Sequence, residues 1–128
     1  MLIGGTMALI AFLSLIPMDS GATHFRLLVA VQPDVQNLMH IPAYALLTIL
    51  WMQALTQQGR LGFGRNASAF VFVAGFGLAN ELAQGWIPGR YLSLTDGLVN
   101  LLGALIGLVF YLEVEKHAPE KIRRWVCS

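Results

Sequence analysis

The sequence has few charged residues, one cysteine and none of the common nucleotide or metalloprotease motifs, and each scarcity excludes a class of protein. Only 12% of its 128 residues are charged, about half the share typical of a soluble domain. The single cysteine, Cys127, excludes an internal disulfide and a cysteine-built metal site. A formal net charge of +1 does not indicate a protein that binds nucleic acid. Because the chain has no Gly-x-Gly-x-x-Gly, Walker or His-Glu-x-x-His motif, we expect no cofactor.

Hydrophobic residues make up 56% of the chain, and they are concentrated in four runs. These runs cover residues 2–17, 38–55, about 67–87 and about 95–112. A helix needs about 20 mostly apolar residues to cross a bilayer, so the first run is short. It either spans a thinned region or lacks residues before Met1. The pattern predicts an all-α membrane protein with four transmembrane helices in a single domain, residues 1–128.

Basic residues are unevenly distributed between the predicted loops, and this predicts an orientation. One side has six of them and the other has two: Arg60, Arg65, Lys116, Lys121, Arg123 and Arg124 against Arg26 and Arg90. Lys and Arg favour the cytoplasmic side of a membrane. We therefore expect both termini in the cytoplasm and the other two loops outside.

Polar side chains are predicted to meet at the outer end of the four helices, where two helices end and two begin. They occur as pairs three or four residues apart, a spacing that places each pair on one helix face: His40 with Tyr44, Glu81 with Gln84, and Asp96 with Asn100. Gly77 continues the face of the second pair, and Gly103 and Gly107 continue that of the third. Small residues allow helices to approach closely, so these faces should point inward.

Ionisable residues inside a membrane are functional candidates because they are costly there. Insertion scales put an Asp at the helix centre at roughly +2.5 to +3.5 kcal/mol. Glu81, His40 and Asp96 are the candidates for acid–base chemistry. We expect no metal, and these three residues are only a weak candidate set for one. Ser93 and Asp96 resemble an N-terminal capping box, and Arg90 offers a guanidinium group suited to phosphate or carboxylate.

Several segments in order resemble those of the VanZ-like family of bacterial membrane proteins. Ser14-Leu15-Ile16-Pro17 is similar to the family's end of helix one, and His40-Ile41-Pro42-Ala43-Tyr44 to its His-aromatic-x-x-Tyr segment. More specific is the series Glu81-Leu82-Ala83-Gln84, Pro88-Gly89-Arg90, Ser93, Asp96, Asn100 and Gly103. The chain departs from the family at Gln36-Asn37, where Asp-Lys is usual. The resemblance implies a multi-pass protein of the bacterial cytoplasmic membrane, linked to teicoplanin-type glycopeptide resistance and the cell envelope.

Three functions remain open from the sequence. The first is binding or protection of an outer-leaflet envelope component, such as a lipid-linked precursor, by Tyr44, Glu81, Gln84, Arg90, Ser93, Asp96 and Asn100. The second is a membrane-embedded hydrolase or transferase that uses Glu81 or His40 as acid and base. The third is a structural subunit whose Gly103 and Gly107 stripe receives a helix of another protein. Membrane lipids are expected partners in all three, and nucleic acid in none.

Overall fold

The regular structure of the chain is helical. The computed structural model describes residues 2–15, 33–59, 62–87 and 93–127, and every regular element in these ranges is an α-helix. The helices are α1 (Leu2–Ser14), α2 (Pro33–Gln57), α3 (Gly62–Gln84), α4 (Leu94–His117) and α5 (Glu120–Cys127). The predicted all-α class is confirmed.

Within the described residues, two helices are long and apolar enough to cross a membrane. They are Leu38–Gln57, which is most of α2, and Leu94–His117, which is α4; Ile3–Ser14 of α1 is apolar but shorter. α3 has 23 residues but carries several polar ones. Large apolar side chains cover much of the outer surface, among them Leu46, Leu98 and Phe110. An apolar surface of this kind is expected where lipid tails replace water.

The observed helix boundaries differ from those predicted by the hydrophobic runs. α2 begins at Pro33 rather than at residue 38, and α4 continues to His117 rather than ending at 112. Proline is well tolerated in the first turn of a helix because its missing N–H needs no partner there. Helical hydrogen bonding thus extends into polar residues that a hydrophobicity criterion leaves out. The predicted end of the first helix at Pro17 lies outside the described residues.

The most extensive helix packing in the described chain is between α2 and α4, and two glycines allow it. A Cβ atom added to Gly103 would lie 2.7 Å from the carbonyl oxygen of Ile41, and one added to Gly107 would lie 2.8 Å from Cα of Ala45. The glycine stripe therefore points inward, as predicted. Its contact is α2 of the same chain, so this face is already covered without a helix from another protein.

Arg65 is buried at the opposite end of the helices from the predicted polar cluster. Our expectation that it lies in a loop is wrong, because α3 begins at Gly62. Its guanidinium group donates two hydrogen bonds of 2.7 Å to the carboxylate of Glu115, and a third of 3.2 Å to the hydroxyl of Thr56. It also lies 5.4 Å from the ring centre of Tyr111. A bidentate ion pair supplies the partners that a buried arginine needs.

α5 was not predicted as a helix, since its basic residues were used only to assign orientation. It packs across the end of α2 and α4 through Val126, which joins a core cluster containing Met52, Leu55, Ala69 and Tyr111. Gln53 donates a hydrogen bond of 2.6 Å to the carbonyl oxygen of Val126. A helix of eight residues is too short to be stable alone, so its tertiary contacts stabilise it more than its own sequence does.

Replacing Arg65 by methionine should destabilise the fold. The expected loss is about 2 to 3 kcal/mol, below the range for a fully buried pair because Glu115 is 34% exposed. Arg124→Met is the matched control, since Arg124 is 76% exposed in its pair with Glu120 and should cost less than about 0.5 kcal/mol. Unfolding in detergent measures both. Equal losses for the two variants would contradict the inference that the buried Arg65–Glu115 pair stabilises the fold more than the exposed Arg124–Glu120 pair does.

Candidate functional site

Three helices contribute polar side chains to one buried cluster, and the helical spacing explains their common direction. Tyr44 of α2 is fully buried, while Glu81 of α3 and Asn100 of α4 are each 2% exposed. Gln84 and Gly77 are buried on the same helix as Glu81. The prediction that these faces point inward is therefore confirmed for the side chains at these positions.

His40 and Asn100 join α2 to α4 within this cluster. Nδ1 of His40 lies 2.7 Å from Oδ1 of Asn100, and a carbonyl oxygen only accepts, so the imidazole nitrogen donates. The His40 ring is stacked with Tyr44 at 6.0 Å between centroids. One ring nitrogen is thus held by Asn100, which fixes the orientation of the imidazole.

Gly77 allows α3 to approach both Tyr44 and Asn100. A Cβ atom added there would lie 3.1 Å from Cε1 of Tyr44 and 3.2 Å from Cβ of Asn100. The Tyr44 hydroxyl also lies close enough to the Asn80 side chain to form a hydrogen bond, and within electrostatic range of Glu81. The tyrosine is therefore the side chain around which the three helices converge.

Asn80 belongs to the cluster although we did not predict it. Its side chain is 5% exposed, and it is adjacent in sequence to Glu81. The spacing that selected Gly77 and Gln84 also fits Asn80, which is three residues after the first and four before the second. That signal could have identified it.

The end of α1 closes the cluster on one side. Nε2 of Gln84 donates a hydrogen bond of 3.1 Å to the carbonyl oxygen of Ser14, and both residues are buried. The expectation that the end of the first helix joins the others is confirmed. Ser14 takes part through its backbone, whose role no sequence motif could have indicated.

Ser93 and Asp96 form the beginning of α4. The Ser93 hydroxyl accepts a hydrogen bond of 3.3 Å from the backbone N–H of Asp96, which confirms the predicted helix cap. Both residues are partly exposed, and Asp96 lies about one helical turn before Asn100. Arg90 and the side chains of Gln36 and Asn37 lie outside the described residues, so their predicted roles remain predictions.

Two buried polar atoms in this region have unused hydrogen-bonding capacity. Among the described residues, Oδ1 of Asp96 and Nδ2 of Asn100 have no hydrogen-bond partner. Leaving a buried polar group unsatisfied costs about 1 to 3 kcal/mol. The arrangement is therefore suited to receive polar groups of water or of a ligand.

The described residues do not form the metal site for which the sequence offered a weak candidate set. They contain no group of three His, Cys, Asp or Glu side chains that could hold a metal ion, so His40, Glu81 and Asp96 do not form one. The chemistry that the arrangement supports consists of hydrogen bonding and proton exchange at His40 and Glu81.

Comparison with known proteins identifies one family. The VanZ/LLP1 family model matches residues 4–115, a range that includes all of α2 and α3, most of α1 and α4, and every described residue of the cluster. No curated protein and no solved structure matches the chain significantly.

The bond to Asn100 predicts which nitrogen of neutral His40 carries the proton. We expect the Nδ1–H tautomer in the wild-type protein and its loss in Asn100→Leu, which removes the acceptor. Nitrogen-15 solid-state NMR of the protein in lipid distinguishes the two tautomers. His117 is an internal control, because it pairs with Glu113 and not with Asn100. An Nε2–H tautomer for wild-type His40 would contradict the observed contact.

Proposed function

We propose, on the premise that this chain belongs to the VanZ/LLP1 family, that it binds or guards an outer-leaflet component of the bacterial cell envelope. In this proposal α1 to α4 all cross the cytoplasmic membrane and both termini lie in the cytoplasm. The ligand is the polar head of a lipid-linked envelope precursor. This role is consistent with the glycopeptide resistance that the family resemblance implies.

The observation that carries the proposal is the burial of polar side chains from three helices at the end opposite the Arg65–Glu115 pair. Placing Glu81 there is costly, and a residue with that cost is a candidate for function. Packing alone does not account for the arrangement, since Asp96 and Asn100 retain buried polar atoms without hydrogen-bond partners among the described residues. Side chains used only to join helices would be expected to satisfy one another.

Partly exposed residues provide an entrance to the cluster. His40, Ser93 and Asp96 are each intermediate in exposure, whereas Glu81 and Asn100 are buried. A head group would therefore contact these three residues before reaching the interior. Arg90 remains the proposed contact for an anionic group, because it lies three residues before Ser93 in the sequence and has a guanidinium group suited to phosphate or carboxylate.

A second candidate function, acid–base catalysis, is favoured by one specific contact. Asn100 holds His40 by one ring nitrogen, which is how catalytic imidazoles are commonly oriented. Glu81 is close enough to Tyr44 for electrostatic interaction, so both ionisable residues adjoin the same tyrosine. Catalysis and binding would use the same entrance to the cluster. They differ in whether the bound molecule is chemically changed.

Photocrosslinking tests the binding proposal. A photoreactive amino acid at Ser93 should capture a lipid-linked envelope precursor in cells, because Ser93 borders the entrance. The matched control is the same amino acid at Phe63, which is 86% exposed in the first turn of α3, at the opposite end. Adding Asn100→Leu should reduce the Ser93 adduct at least tenfold, and mass spectrometry identifies the captured molecule.

The outcomes separate the candidates. Identical adducts at Ser93 and Phe63, or an adduct unaffected by Asn100→Leu, would contradict a binding site in the cluster. Glu81→Gln keeps the shape of the side chain but cannot exchange a proton. Retained capture with loss of teicoplanin resistance in this variant would favour acid–base chemistry over binding alone.

A further inference from the structure

α5 lies at the level where two candidate transmembrane helices end. Gln53, whose side chain holds the carbonyl oxygen of Val126, is four residues before the end of Leu38–Gln57. Tyr111, which packs in the same cluster as Val126, is six residues before the end of Leu94–His117. At 1.5 Å per residue these offsets are roughly 6 and 9 Å. α5 is therefore level with the last turns of both helices, where a bilayer has its head groups.

Three cations near this position have no ionic partner in the described chain. Lys116, Lys121 and Arg123 are exposed and form none of the observed salt bridges, whereas Arg124 is paired with Glu120 and His117 with Glu113. We call Lys116, Lys121 and Arg123 the basic patch. Long basic side chains can extend their charged ends to head groups while the helix itself lies flat.

An exposed apolar residue on α5 fits the same environment. Ile122 is 50% exposed on a helix that is otherwise mostly charged. It is four residues before the buried Val126, so at 100° per residue the two lie within about 40° of each other around the helix. Ile122 thus borders the side that faces the other helices, where acyl chains would contact it. An amphipathic helix at an interface has this combination of apolar and basic groups.

We propose that α5 and the basic patch bind the head groups of anionic phospholipids in the leaflet where α2 and α4 end. The positive charge of the patch complements the negative head group, and Ile122 contacts the adjoining acyl region. This inference depends on α2 and α4 crossing the membrane and is independent of any ligand at the polar cluster. Its occupant is a lipid of the surrounding bilayer rather than an envelope precursor.

Lipid titration of the full-length purified protein, followed by native mass spectrometry, tests the proposal. Phosphatidylglycerol should bind at least tenfold more tightly than phosphatidylcholine. Each basic residue near an anionic surface contributes about 1 kcal/mol, or about fivefold. The triple variant Lys116→Gln, Lys121→Gln, Arg123→Gln should therefore weaken phosphatidylglycerol binding roughly a hundredfold and leave phosphatidylcholine binding unchanged.

Two controls keep the charge constant. The variant Lys116→Arg, Lys121→Arg, Arg123→Lys should bind phosphatidylglycerol as the wild type does. The double variant Glu120→Gln, Arg124→Gln removes an ion pair without changing net charge and should also have no effect. If the triple glutamine variant does not fold, Arg123→Gln alone should still lose about fivefold.

Three results would overturn the proposal. The first is equal affinity of the wild-type protein for the two lipids. The second is undiminished phosphatidylglycerol binding by the folded triple glutamine variant or by Arg123→Gln. The third is displacement of bound lipid by a tenfold excess of inorganic phosphate, which would mean that the patch recognises phosphate and not a lipid.

Discussion

The close approach of α2 and α4 is the constraint on which the rest of the structure depends. Gly103 and Gly107 present bare backbone to Ile41 and Ala45, and an added Cβ atom at either glycine would collide with α2. In lipid, such contacts stabilise helix pairs because there is little hydrophobic driving force between them. The same approach brings Asn100 within hydrogen-bond distance of His40. Packing and site formation therefore have one common cause.

α3 is held between polar contacts near its two ends. Near its beginning Arg65 pairs with Glu115 of α4, and at its end Gln84 donates to the backbone of α1. Between them Gly77 fits against Tyr44 and Asn100. A helix with this many polar side chains would be unfavourable alone in lipid, but here four of them are buried: Arg65, Asn80, Glu81 and Gln84. Satisfying them internally is the general requirement for polar groups in a bilayer.

Much of this arrangement could be predicted from sequence, because it follows from periodicity. The spacing of three and four residues placed Tyr44, Glu81 and Asn100 on inward faces, and the serine at 93 was identified as a helix cap. Helix boundaries were predicted less accurately, because helical backbone hydrogen bonding continues beyond the apolar run into polar residues such as those that follow Pro33. The burial of Arg65 depends on Glu115, fifty residues away, and no local pattern indicates such a partner. α5 depends likewise on contacts with α2 and α4.

The central functional claim is that the polar cluster faces the outside of the cell. Labelling of single cysteines with a membrane-impermeant maleimide tests it most directly, with Cys127 replaced by serine so that the introduced thiol is the only one. The account predicts that Ser93→Cys reacts in intact cells, and that Phe63→Cys reacts only after the membrane is opened. The reverse pattern would place the cluster at the cytoplasmic face and contradict an outer-leaflet ligand.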